Sequence, residues 1–412
     1  MRKVFALLIV SSFLAAMVPA LSASTLAVHA VDVIAAVPTG TGPQGIAYDS
    51  DMGEIFVANE GDNTVSVISD STNTVVSTIP VGNSPKRVAY DSGLGEIFVA
   101  NSGSDTVSVI SDKTNTVVAT INVGKYPLDV AYDSAKGEIF VTNYGGSSVS
   151  VISDSTNTVI AEIEVGSSPC CVVYDSGKGE VFVGNADSET ISVISDSTHT
   201  VIARVTCPFP PYDLAYDSDM GEIFGTKYSV FVISDNTNTV IATIPLSAGS
   251  HSYGLAYDSD MDEIFVTHGG NTVSIISDKT NTVVATAPLN ISGGVALWEI
   301  AYDSGKRELF AANTILDVLT GQGFLINNVL ILSDSDKPEQ TSPSTSDQEQ
   351  QAEPFPTTII ITVSGVSLAV LAAGLLVYFK KRKHQTIPTS TTHSMEIGKS
   401  QYWHFSQCLF DK

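Results

Sequence analysis

The stretch "PLDVAYDSAKGEIFVTNYGGSSVSVISDSTNTVIAEIEVG", residues 127 to 166, decides the fold. It parses into four short apolar runs: "DVAYD", "EIFVTN", "SVSVIS" and "TVIAEIEV". Each is rich in Val, Ile, Phe and Thr, with Gly, Asn, Asp and Ser between them, the composition of β-strands joined by tight turns. The unit repeats. Its Tyr-Asp pair recurs at Tyr48, Tyr90, Tyr132, Tyr174, Tyr216, Tyr257 and Tyr302, at spacings of 42, 42, 42, 42, 41 and 45 residues.

Four strands in about 40 residues describe a propeller blade, and seven copies predict an all-β, seven-bladed β-propeller over residues 31–335. In strand a, Val130 and Tyr132 share one face and Ala131 takes the other, small enough for close approach near the axis. The seventh copy has strands a, b and c ("NNVLILSD") but no strand d. "VDVIAAVPTGTGPQGIAYDS" from Val31 aligns without a gap on "NTVVSTIPVGNSPKRVAYDS" from Asn73. Val31 to Val37 is therefore expected to supply the outer strand of blade seven and close the ring, leaving no broken junction.

On these residues, "FVTNYGGSSVSVISDSTNTVIAEIEVG" from Phe140 above all, the chain resembles the YVTN-type β-propeller repeat family of archaeal surface-layer and other extracytoplasmic proteins. The resemblance spans about residues 31 to 335. It implies a propeller and a surface location, and no particular reaction.

The ends carry different signals. Residues 1–23 open with Arg2 and Lys3, run apolar from Val4 to about Val18 and reach small residues near Ala20 and Ala23, the pattern of a secretory signal peptide. Thr357 to Phe379 holds no charge, long enough to span a bilayer as a helix, and Lys380, Lys381, Arg382 and Lys383 follow it. Positive residues stay in the cytoplasm, so residues 380–412 are expected as an internal tail, 336–356 as a disordered stalk, and the propeller as the outer part of a single-pass type I cell-membrane protein. Residues 24 to 356 carry 12 Lys plus Arg against 42 Asp plus Glu, a net −30. Such acidity disfavours nucleic acid and anionic lipid and suits cations or basic partners.

The two faces of the ring differ. From the strand-a Tyr to the Glu that opens strand b the interval is six residues in every copy, Glu54 to Glu308. From Tyr to the strand-c Asp it is 22 in the first four copies, then 19, 21 and 32. Length variation therefore lies in the b–c and d–a connections, largest in Asn313 to Asn328, an insertion of about ten residues. Varied loops on a rigid scaffold are where binding resides. This variable face is expected to look outward, the constant face toward the membrane.

The residues before each strand a should line the channel mouth on the variable face. Four before Tyr stand Gln44, Lys86, Leu128, Cys170, Tyr212, Tyr253 and Trp298; three before stand Gly45, Arg87, Asp129, Cys171, Asp213, Gly254 and Glu299. Lys86, Arg87, Asp129, Tyr212, Asp213, Tyr253, Trp298 and Glu299 form the candidate ligand set, aromatic anchors with a few charges that suit a glycan or a peptide of a cell-envelope partner. The competing reading is drift at positions free of packing constraint. His251 and His268, brought together by strand pairing, are candidate metal or acid–base groups with Glu299; the competing reading is two surface histidines. Asn290 in "NIS" is a glycosylation sequon. No catalytic residue or cofactor is assigned, since nucleophile elbows, phosphate loops, HExxH and paired CxxC motifs are missing. The Asp-rich "YDSDMGE" turns lack the length and the terminal Glu of a calcium loop, and make the constant face acidic enough for weak divalent-cation binding. The function expected is a non-catalytic binding, adhesion or envelope role, the alternative being a lactonase-, lyase- or redox-type propeller enzyme with its site at the channel mouth.

Three of the four cysteines precede the span. Adjacent Cys170 and Cys171 should point to opposite faces at the rim of the mouth, with Cys207 about three strand spacings, roughly 14 Å, away unless "CPFPP" folds inward.

Overall fold

The computed structural model describes residues 31–246, 251–268, 271–289, 294–316 and 325–334. The segments expected as signal peptide, stalk, membrane span and tail, and Asn290, lie outside the described residues. Among the described residues every regular element is a β-strand. They form seven four-stranded antiparallel sheets. The chain is a seven-bladed β-propeller.

The quoted repeat is blade three. Its strands are a, Pro127–Asp133; b, Glu138–Asn143; c, Ser148–Ser153; and d, Thr158–Glu164. Ring closure is as the alignment predicts. Val31–Pro38 pairs with Leu325–Asp334, from Val31 opposite Asp334 to Pro38 opposite Asn328, and completes the sheet of Gly294–Asp303 and Glu308–Leu316. The register shift between Val33 and Ala35 inverts the alternation, so Val31 is buried between blades six and seven and Val37 between blades seven and one. One short segment thus joins two interfaces.

Each interface has its own apolar core. Between blades one and two, Ala47, Phe56 and Val67 pack on Val88, Ile97 and Val99, and equivalent clusters fill the other junctions. The strand-b Phe is fully buried in all seven blades, from Phe56 to Phe310. Burial on both faces explains why strands b and c read as near-continuous apolar runs.

Outer strands carry a regular irregularity. In strand d of blade one, Val67 pairs with Ser77 and Ile68 with Val75, so Val76 is bulged out of the ladder. Ile34 is bulged in the same way on the closing strand. A bulge on every edge strand discourages edge-to-edge pairing with another chain.

The blade-seven insertion is more than a loop. Its strands b and c continue in register past Asn313–Asn328 to Leu316–Leu325, and strand a extends alongside from Leu297 to Gly294. A three-stranded extension therefore leaves the variable face at this blade, with residues 317–324 outside the description.

Candidate functional site

The d–a connections arrive on the variable face, so residues four before the Tyr lie nearer that face than residues three before it. The inner of these two rings is a charged cluster across the axis. Arg87 from blade two reaches Glu299 of blade seven (Nη1–Oε1 2.5 Å) and Asp213 of blade five (Nη2–Oδ1 3.5 Å). The carboxylates of blades three, five and seven each accept a backbone N–H from strand a of the following blade. Val172 donates to Asp129 Oδ2 at 2.9 Å, Leu255 to Asp213 Oδ2 at 2.8 Å, and Ile46 to Glu299 Oε2 at 2.9 Å. These bonds satisfy strand-a donors next to the bulged starts of the strands, where the ladder skips residues.

Side-chain size alternates to make room. Blades one and six have glycine at this position, and they precede the blades that carry Arg87 and Glu299. A Cβ on Gly45 would stand 2.6 Å from Arg87 Cα, and one on Gly254 3.0 Å from Glu299 Cα. The guanidinium thus crosses the channel over a backbone approach that only glycine permits.

Three carboxylates and one guanidinium out of water are unbalanced. Burial, opposed by Arg87 and reinforced by Asp213, lifts Asp129 to about 6. Burial, again opposed by Arg87, lifts Glu299 to about 8. Arg87 is itself disfavoured by burial, but its acidic neighbours win and hold it more firmly protonated than usual. The cluster is a closed floor to the mouth.

Above the floor, the outer ring divides in two. Trp298, Tyr253 and Tyr212 form a continuous aromatic arc over blades seven, six and five, with ring centroids 5.2 Å and 5.7 Å apart. The arc continues outward through His251, stacked 6.4 Å from Tyr253, to Tyr228 at 5.2 Å and Phe209 at 6.3 Å. Trp298, Tyr253 and Tyr212 are each partly exposed. The indole N–H of Trp298 is buried and has no hydrogen-bond partner. On the opposite side Lys86 is 3 % exposed and tied to Glu60 at 2.6 Å, beside Gln44 and Leu128.

The eight candidate residues therefore separate by role. Arg87, Asp129, Asp213 and Glu299 come together as the floor, and Tyr212, Tyr253 and Trp298 as the arc; Lys86 is buried in an ion pair away from both. Sequence reasoning missed Glu60, Phe209 and Tyr228. A lone Arg among acids at alternate blades was the available signal for the floor, while Phe209 and Tyr228 sit in loops of changed length with no repeat to align them.

His268 is opposite Ser252 in the ladder, as the pairing argument expected, but it is fully buried. It occupies the position of Asn59, Asn101, Asn143 and Asn185, whose amides donate to Ser and Thr hydroxyls of strand c. His268 Nε2 lies 2.8 Å from Ser274 Oγ, the same partner position. Burial lowers its pKa to about 4, so the ring is neutral. Among the described residues no group of three or more His, Cys, Asp or Glu is arranged to hold a metal.

The cysteines depart from expectation. Cys170 and Cys171 Sγ lie 3.6 Å apart rather than on opposite faces. Pro169 pairs with Asn185 and Cys171 with Gly184, which leaves Cys170 bulged and turns its thiol toward its neighbour. The "CPFPP" loop does fold inward: Phe209 packs on the cluster holding Cys170, Cys171 and Cys207, and Cys170 donates to Pro211 O at 3.2 Å. All three thiols are buried core rather than rim, and burial raises Cys207 to about 12 and Cys171 well above the usual thiol range. Cys171 and Cys207 are therefore held as thiols.

No family model matches the chain, and no curated protein does. Among solved structures it is similar to Kuenenia stuttgartiensis hydrazine synthase, at 17 % identity and a TM-score of 0.60, over 70 % of this chain and 97 % of that one. The likeness is of fold alone.

Proposed function

We propose that this protein is a displayed, non-catalytic binding protein of the YVTN-repeat type, anchored by its C-terminal apolar segment with the variable face outward. Its ligand is a glycan or peptide of a cell-envelope partner, seated at the channel mouth on Tyr212, Tyr253 and Trp298. The observation that carries this reading is the aromatic arc. Three partly exposed rings in contact, over a floor whose charges are already engaged, make a rigid apolar platform, the anchor chemistry of recognition sites. A secretory leader and a basic-flanked apolar segment support the display.

The alternative, a propeller enzyme acting at the same mouth, would have to draw on Glu299 or its neighbours. Both Glu299 oxygens are engaged, by Arg87 and by the Ile46 N–H, and Asp129 and Asp213 also hold backbone donors, so their geometry is that of a clasp. The test is a glycan and peptide array probed with wild-type protein and with the Tyr212→Ala, Tyr253→Ala and Trp298→Ala variants. Specific binding that disappears in the variants supports the reading; binding that all three retain removes it.

A further inference from the structure

The adjacent thiols of blade four sit in an enclosure shaped around them. Cys170 and Cys171 Sγ are 3.6 Å apart, and a sulfur–sulfur bond needs them only about 1.6 Å closer. The bulge at Cys170 has already turned the two side chains toward each other. Space for Cys171 comes from strand b, where the residue before the Asn is Ala58, Ala100 and Thr142 in blades one to three but Gly184 in blade four. A Cβ on Gly184 would stand 2.3 Å from Cys171 Sγ, and 3.0 Å from the ring of Pro211 on the far side.

Blade four departs here from its neighbours. The same two positions hold Lys86 with Arg87 in blade two and Tyr212 with Asp213 in blade five, where the second side chain turns to the axial cluster. In blade four both side chains stay inside, against each other. Cys170 is the member within reach of solvent, 8 % exposed against 0 % for Cys171. Its thiol is held by the carbonyls of Pro211 at 3.2 Å and Gly184 at 3.5 Å. Cys207 belongs to the same apolar cluster, but its sulfur lies against Val205 O of its own strand at 4.0 Å.

We propose that Cys170 and Cys171 form a reversible redox modification site, closed to a vicinal disulfide by exchange with a small-molecule disulfide of the glutathione type. Cys170 reacts first: its thiolate, formed by loss of the proton to water, attacks one sulfur of the oxidant and releases one small thiolate. Cys171 then gives up its proton and attacks Cys170 Sγ, forming the Cys170–Cys171 bond and expelling the second small thiolate. The two protons end on the two expelled thiolates, so two protein sulfurs are oxidised and one small disulfide is reduced to two thiols. Burial holds Cys171 as a thiol in the closed protein, so exchange proceeds through opening of the "CPFPP" loop packed on the pair. Neighbouring Cα atoms are about 3.8 Å apart, closer than ordinary disulfides allow, so the bond is strained and easily reduced again. The external side proposed above is the compartment in which such a bond forms. Oxidation also removes the S–H donor from Pro211 O, the carbonyl next to Tyr212 of the aromatic arc.

The test brings the full-length protein in detergent to equilibrium in buffers of varied oxidised-to-reduced glutathione ratio, starting from both the reduced and the oxidised side. Samples are quenched in acid, denatured, alkylated and digested for mass spectrometry. Expected is a peptide carrying Cys170 and Cys171 that loses two hydrogens and escapes alkylation as the ratio rises, and recovers both thiols as it falls, while Cys207 is alkylated throughout. Cys207→Ser should keep this response, and Cys171→Ser should replace it by one glutathione on Cys170. Four results overturn the proposal: both cysteines alkylated at every ratio, a bond from either to Cys207, a pair that reduced glutathione does not reopen, or a Cys171→Ser protein whose Cys170 takes up no glutathione.

Discussion

Blades one to four and blades five to seven are built on the same core but differ at the surface. Both halves bury the same Phe on strand b and use the same a–b turn. The first four keep one interval throughout and an Asn at the end of strand b; the last three change the interval, exchange that Asn for Lys227 and His268 in blades five and six, and lengthen blade seven into an extended hairpin. The aromatic arc lies wholly on the second half. Ring closure demands uniformity only where blades touch, so variation accumulates where they do not.

The largest expected effect falls on what the halves share. Removing residues 31–39 takes the outer strand from blade seven and two buried valines from two interfaces, a loss on the order of 5 kcal/mol from the valines alone. Thermal unfolding should then lose its single transition or shift sharply down; an unchanged melting temperature would mean that blade seven does not need this strand.

Next comes the axial clasp, which ties the halves together. Arg87→Ala leaves Asp129, Asp213 and Glu299 buried around a missing cation, and breaking a buried ion pair from one side costs about 3–5 kcal/mol. Urea denaturation measures it. A loss below about 1 kcal/mol, the worth of a surface pair, would show that the clasp is superficial.

A smaller effect is the dependence on pH. Glu299 titrates near 8 in the folded protein, above its ordinary 4.5, so the folded state keeps a proton that the unfolded state has released. Stability therefore falls as pH rises toward 8. Asp129 and Asp278, near 6, act in the same sense at lower pH, whereas His268, lowered from 6.5 to about 4, costs stability as pH falls through that interval. Between pH 6.5 and 8 the Glu299 effect stands clear of His268. Melting temperature should drop over this range in the wild type and stay flat in Glu299→Gln; equal slopes would locate the proton elsewhere.

Fold and closure were legible because a period of 42 residues repeats every contact, and the closing strand could be read from its gapless alignment. The candidate site was legible only as a ring of positions. Lys86 and Arg87 are adjacent in sequence, yet one turns aside to Glu60 and the other crosses the axis, a choice made by the glycine of the preceding blade. The bulge at Cys170 reversed the expected direction of its thiol, because a ladder that skips one residue is invisible to strict alternation.

The most direct test of the account compares the two halves at one ring. For a glycan or peptide identified on the array, the dissociation constant is measured for Tyr253→Ala and Trp298→Ala, and for Gln44→Ala and Leu128→Ala at the matching positions of blades one and three. Loss of a buried aromatic anchor costs 2 kcal/mol or more at a hot spot, about thirtyfold in affinity. The account predicts that weakening for the first pair and wild-type affinity for the second. Equal affinities for all four variants would contradict it.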